Sequence, residues 1–172
     1  SSSGMWKSTN GGNTWSNILP QNIKDIEIKP NQSNTIYAAS PNVFYYSNDG
    51  GNSFNTASGL PPTGGRIVIG VTPADDEYVY ILSADDNYEM QGLYRSTNSG
   101  VSFNLRYSND DIFDQSGQAW FDLAMCVSPT DPEMIFTGVL NVWKSTNGGN
   151  SFSQVNSWSD PGSPAYTHAD IH

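Results

Sequence analysis

One octapeptide recurs four times along the chain, and a spaced repeat of this kind restricts the fold more than length or composition does. Its copies are Ser8-Thr9-Asn10-Gly11-Gly12-Asn13-Thr14-Trp15, Ser47-Asn48-Asp49-Gly50-Gly51-Asn52-Ser53-Phe54, Ser96-Thr97-Asn98-Ser99-Gly100-Val101-Ser102-Phe103 and Ser145-Thr146-Asn147-Gly148-Gly149-Asn150-Ser151-Phe152. Successive leading serines lie 39, 49 and 49 residues apart. The motif has the chemistry of a tight turn between two strands. Asn or Asp at its third position can accept hydrogen bonds from its own backbone, glycine at the fifth tolerates a positive φ, and the closing aromatic can pack beneath the turn.

Sequence on either side of each copy reads as strand. Met5-Trp6-Lys7, Phe44-Tyr45-Tyr46, Leu93-Tyr94-Arg95 and Val142-Trp143-Lys144 enter the four turns. Before the last three copies comes an apolar strand closed by proline, then a polar turn and another strand: Ile26 to Pro30 before Thr35-Ile36-Tyr37, Ile67 to Pro73 before Tyr78-Val79-Tyr80, and Met125 to Pro129 before Met134-Ile135-Phe136. Strand, proline turn, strand, strand, octapeptide, strand describes a four-stranded antiparallel blade, so the fold class predicted is an all-β propeller segment. Complete blades are expected over 22–57, 64–107 and 119–156, with the end of a blade at 1–18 and the start of another at 165–172. Trp15, Phe54, Phe103 and Phe152 are expected to pack inward. An arc of three blades leaves open sheet edges, so the remaining blades of a larger ring, about seven or more, are the first partner expected.

The octapeptide resembles the Asp-box, or bacterial neuraminidase repeat, of a β-propeller superfamily, and the likeness extends over nearly the whole chain. Only the second copy keeps the aspartate, Asp49; Asn10, Asn98 and Asn147 replace it elsewhere, and asparagine can fill the same turn role. The resemblance implies that Ser8, Asn10, Gly12, Trp15, Ser47, Asp49, Gly51, Phe54, Ser96, Asn98, Gly100, Phe103, Ser145, Asn147, Gly149 and Phe152 are structural. In that superfamily the boxes lie at the periphery, remote from a central funnel where ligands bind. Lys7, Arg95 and Lys144 share the position before the box and read as surface residues of the repeat.

Seven basic residues stand against seventeen acidic ones, and the cations are scattered. Binding to nucleic acid needs a local basic field, which this pattern does not supply. No run approaches eighteen apolar residues, so insertion of a helix into a membrane is not expected. Cys126, the single cysteine, sits in the apolar run Leu123 to Val127 and reads as a small buried hydrophobe.

Candidate function falls on the innermost strands and the loops at their ends, where the repeats differ. Asp25 and Glu27 stand there in the first blade, Arg66 in the second, and Trp120 and Asp122 in the third. His168, Asp170 and His172 end the chain. On a strand these three would share one face at intervals of about 6.6 Å, which suits bracing of neighbouring blades, ligand contact or shared ligation of a cation. Thr167 to His172 resembles the His-Ala-Asp-x-His segment of bacterial propellers related to the sortilin-like receptors and to some glycoside hydrolases. The insertions 85–91 and 107–117 are acidic with aromatics, a composition suited to sugar stacking or calcium, and are expected as solvated loops. Neither carries the Asp-x-Asn-x-Asp-Gly spacing of a calcium loop. No cofactor is assigned, though a divalent cation is compatible with the acidity.

The ligand-binding set expected is therefore Arg66, Trp120, Asp122, His168, Asp170 and His172. From the resemblance, the main expectation is a secreted or cell-surface propeller that binds a glycan or a protein without catalysis. The alternative is a glycoside hydrolase whose active site other blades complete. Sialidase chemistry is not expected of this segment, since it needs three convergent arginines and only Arg66, Arg95 and Arg106 are present.

Overall fold

The computed structural model describes residues 4–62 and 64–171. Strands β1 (Met5–Lys7) and β2 (Ser16–Leu19) form a two-stranded ladder. Three four-stranded sheets follow. The first holds β3 (Asp25–Ile28), β4 (Ile36–Ala39), β5 (Phe44–Ser47) and β6 (Asn55–Thr56). The second holds β7 (Arg66–Val71), β8 (Val79–Ala84), β9 (Met90–Ser96) and β10 (Asn104–Tyr107). The third holds β11 (Ala124–Val127), β12 (Ile135–Gly138), β13 (Val142–Ser145) and β14 (Ser153–Gln154). Every pairing is antiparallel and joins consecutive strands. Among the described residues there is no helix long and apolar enough to cross a membrane.

Successive sheets stack face to face, with β7 touching both β3 and β11. All six residues of β8 are buried because its sheet is covered on both sides. Tyr80, Leu82 and Ala84 join a core with Ile135 and Val139 of the third sheet, while Val79 and Ile81 join another with Tyr37 and Phe44 of the first. The period of two thus feeds one strand into two cores. The same alternation exposes Cys126, contrary to the sequence expectation: β11 turns Met125 and Val127 toward Gly70 of β7, which leaves the thiol on the opposite face. Ile26 and Ile28 on β3 are likewise exposed.

Each octapeptide forms the same turn. In the second copy Ser47 Oγ donates to Asp49 Oδ1 (2.8 Å) and accepts from the Gly51 amide (2.9 Å), and Asp49 Oδ1 accepts from the Ser53 amide (2.9 Å). Gly51 has φ +84°, and its counterparts Gly12, Gly100 and Gly149 are also left-handed. At the preceding position Ser99 adopts φ +57° where the other copies have glycine. Of the closing aromatics Phe103 is buried and Phe54 and Phe152 are half-buried, but Trp15 is 58% exposed, so its expected inward packing is corrected. It belongs to the two-stranded ladder, and its ring lies back on its own turn with Nε1 donating to the Gly12 carbonyl (3.1 Å).

Asp and Asn serve this turn with one difference. Ser53 Oγ donates to Asp49 Oδ2 (2.6 Å), whereas Asn98 Nδ2 and Asn147 Nδ2 donate to the hydroxyls of Ser102 and Ser151 (2.9 Å each). The hydroxyl reverses its role and the bond survives. These donors hold the Asp49 carboxyl well below the usual carboxylate range, the Ser53 hydroxyl first among them. A depressed folded-state pKa adds stability above the unfolded value, near pH 3.9, and loses it as pH falls further. Asp49→Asn is therefore expected to leave the melting temperature unchanged at pH 7. Below pH ~3.9 it should lose less stability on acidification than the parent. Equal acid limbs in paired melting curves would refute this.

Several cations tie one sheet to the next. Lys29, only 3% exposed, bonds Glu77 Oε1 and Ser99 Oγ (2.7 Å each). Arg95 pairs with Glu133 (2.7 Å) and lies over the Tyr78 ring, and Lys7 donates to the Gly50 carbonyl. Lys7 and Arg95 are thus bridging residues rather than the surface residues expected, while Lys144 lies over Phe136 within its own sheet. The insertion before the third sheet is also more than a solvated loop: Ile112 and Phe113 are each 1% exposed within the core.

Candidate functional site

A cleft of about 620 Å³ opens where the starts of the inner strands of the three full sheets converge. Lys24 and Pro41 come from the first sheet, Arg66 and Tyr88 from the second, and Trp120 and Phe121 from the loop before β11. That loop is a single closed turn, in which the amides of Phe121 (2.9 Å) and Asp122 (3.0 Å) both donate to the Gln118 carbonyl. Ala119, Asp122 and Leu123 are buried, so the turn projects only Trp120 (61% exposed) and Phe121 (53% exposed) outward. Their ring centroids are 5.5 Å apart, with planes tilted by 47°. Two large adjacent apolar rings held in solvent form a stacking surface for a flat ligand face.

Arg66 fixes this turn. Its Nη1 donates to the carbonyls of Phe121 (2.7 Å) and Ala119 (3.4 Å). Burial pushes the guanidinium pKa down, and the neighbouring charges of Asp25 and Asp122 oppose that shift. Asp25 is itself fixed, accepting from the amides of Ile69 (2.7 Å) and Ile26 (2.9 Å). Beside it, the Glu27 carboxyl is pushed above its ordinary value by burial and then by the charge of Asp25. Both carboxylates line a smaller hollow that continues from the cleft past Arg66 to Met125.

Of the residues singled out from sequence, the fold brings Arg66, Trp120 and Asp122 together and leaves His168 and Asp170 elsewhere. Among the described residues the strand expected from Tyr166 onward does not form: Tyr166 makes one isolated bridge to Ser157, and residues 167–171 follow irregularly. Asp170 has φ +72°, so His168 and Asp170 cannot share a strand face. His168 is 81% exposed, with Nδ1 3.7 Å from Asp170 Oδ2. The tail crosses the Cys126-bearing face of the third sheet, where the Ile171 amide donates to the Val139 carbonyl (3.0 Å) and its side chain meets Gly138. His172 lies outside the described residues. No group of three or more His, Cys, Asp or Glu among the described residues is arranged to hold a metal ion. Phe121, Tyr88 and Lys24 joined the cleft without being expected there. The signal present for Phe121 was its place beside Trp120 just before an inner strand.

Stacked four-stranded antiparallel meanders with converging inner strands define the blades of a β-propeller. Solved propellers agree. The chain superposes on an ancestral GH74 enzyme with a TM-score of 0.67 at 17% identity, covering 96% of this chain and 22% of that one. The GH74 enzyme of Niastella koreensis gives 0.63 at 18% identity, covering 90% and 27%. YCF48 from Cyanidioschyzon merolae gives 0.54 at 11% identity, covering 78% and 37%. In sequence the chain is 31% identical over 120 residues to a xyloglucanase of a Paenibacillus species, a match that covers 68% of this chain and 12% of the enzyme. No protein-family model matches the chain.

Proposed function

We propose that this chain is the glycan-binding part of a glycoside-hydrolase-like propeller, with the Trp120–Phe121 cleft as its contact with a polysaccharide of the xyloglucan class. The observation that carries this reading is the exposed aromatic pair, held by a buried turn above a cleft that three blades build together. Similarity to a xyloglucanase supports the substrate class. Membership of the Asp-box superfamily, and a secreted or cell-surface location, belong to the same proposal. So does the remainder of a propeller ring as its partner, because the chain spans only a fraction of the enzymes it resembles.

The cleft is lined by Asn22, Lys24, Arg66, aromatics and small residues, and the Asp86 carboxylate lies against Gly64 of that lining. Hydrolysis of a glycosidic bond needs two carboxyl groups flanking it, about 5 to 10 Å apart. Asp25 and Glu27 sit in the adjoining hollow, so a catalytic pair at the cleft would draw on groups outside this lining.

Trp120→Ala/Phe121→Ala should weaken binding of a xyloglucan oligosaccharide by roughly 5- to 150-fold, since each stacked ring contributes about 0.5–1.5 kcal/mol. Calorimetric titration of the full protein reads this directly. Unchanged affinity would sink the cleft reading, whereas reducing-sugar release from xyloglucan separates a hydrolase from a binding module.

A further inference from the structure

We propose that Arg66 is a positioning residue, which presents Trp120 and Phe121 to a ligand by clamping the two carbonyls of their turn from the neighbouring blade. The inference rests on the reading of that aromatic pair as the glycan platform and gives Arg66 a role other than direct ligand contact. Residues 120 and 121 both point outward, while the buried Ala119, Asp122 and Leu123 anchor the turn from beneath. Its hydrogen bonds to the Gln118 carbonyl close it locally but do not fix it relative to the second sheet. Arg66 supplies that link: it starts β7, and its Nη1 reaches the carbonyls of Ala119 and Phe121 across the blade boundary.

Arginine suits this task because a planar guanidinium offers several donors at fixed angles and keeps its charge when half-buried. Asp25 and Asp122 flank it as counter-charges, and Asp25 is held by two backbone amides. Because Arg66 itself starts β7, its bonds to the Ala119 and Phe121 carbonyls transmit the position of the second sheet to the aromatic pair. A platform displaced by a fraction of an ångström to an ångström loses much of its stacking, as preorganised sites generally do.

The test is a double-mutant cycle in the full protein, with a xyloglucan oligosaccharide as the probe. Arg66→Met keeps the aliphatic stem and removes the donors. It should lower affinity about tenfold, comparable to removing one stacked ring, and should cause no further loss in a Trp120→Ala/Phe121→Ala background. Arg66→Lys, which can still reach one carbonyl, should recover part of the affinity. A full additional loss in the double-alanine background would show direct ligand contact and overturn the proposal. So would an Arg66→Met protein of undiminished affinity, and in that case the platform reading stands if the double-alanine variant still binds weakly. Should the double-alanine variant bind normally, the platform reading fails and hydrogen exchange decides the clamp by itself. Faster exchange of the amides of residues 118–122 in Arg66→Met, with the other sheets unchanged, upholds the clamp; unaltered exchange there removes it.

Discussion

Gly59→Ala should lower the melting temperature of the protein by about 6–20 °C. Gly59 follows the last strand of the first sheet, where Ser58 bridges in parallel to Ser102 of the next sheet's octapeptide. The Ser58 amide donates to the Val101 carbonyl (3.2 Å), and the Phe103 amide donates to the Ser58 carbonyl (2.9 Å). Gly59 has φ +82°, and a Cβ there would fall 2.0 Å from the Phe103 carbonyl oxygen. Backbone rather than a pliable side chain stands in the way. A left-handed non-glycine residue costs about 1–3 kcal/mol, and separating the two segments forfeits hydrogen bonds of about 1 kcal/mol each. The sum, about 3–5 kcal/mol, corresponds to a shift of about 2–4 °C per kcal/mol in a protein of this size. Gly11→Ala is the control: φ is +68° but no atom lies within 4 Å of its Cβ, so only the strain term should appear. Equal losses in the two variants, measured by thermal melting, would show that the clash is absorbed.

The second large effect is expected from Phe44→Ala. Phe44 is 2% exposed and sits where the first sheet meets the second, stacked on Tyr37 at 5.8 Å and edge-on to Phe103 at 5.1 Å. Truncation of a buried phenylalanine costs about 3–5 kcal/mol, through lost transfer energy and the cavity left behind. Collapse cannot fill the space easily here, because a hollow of about 280 Å³ already adjoins Phe44 beneath Leu60 and Pro61. Such a loss approaches the whole stability of many domains, about 5–15 kcal/mol. Denaturant unfolding should show a lower midpoint with an unchanged slope. Because Gly59 and Phe44 both act through Phe103, their effects should combine less than additively. Strict additivity in the double variant would mean that the two act at separate places.

The octapeptide turn was legible in the sequence because its bonds close within eight residues. Ser47, Asp49, Gly51 and Ser53 find one another whatever the rest of the chain does, and the spacing of the copies sets strand number and order. The burial of Cys126 and the inward packing of Trp15 were misjudged because each depends on which sheet lies opposite, and local sequence does not encode this. The terminal His-Ala-Asp segment was misread for a related reason. Alternating residues describe a strand face only if a partner strand pairs with them, and Asp170 instead turns at positive φ.

The cleft belongs wholly to tertiary structure. Arg66 and Trp120 could be named as candidates from their places before inner strands, but nothing near Arg66 in sequence says that it grips the turn carrying Trp120. That grip exists because stacking of the second and third blades brings residue 66 within 2.7 Å of the Phe121 carbonyl. Lys24, Tyr88 and Phe121 entered the cleft in the same way, from three segments distant in the chain. Sequence by itself determined the repeated turn, the four-stranded unit and the order of the blades, since these rest on contacts between near neighbours in the chain. Packing of blade on blade decided which side chains face water and which meet in the cleft, because those contacts join residues whose separation along the chain carries no record of their approach.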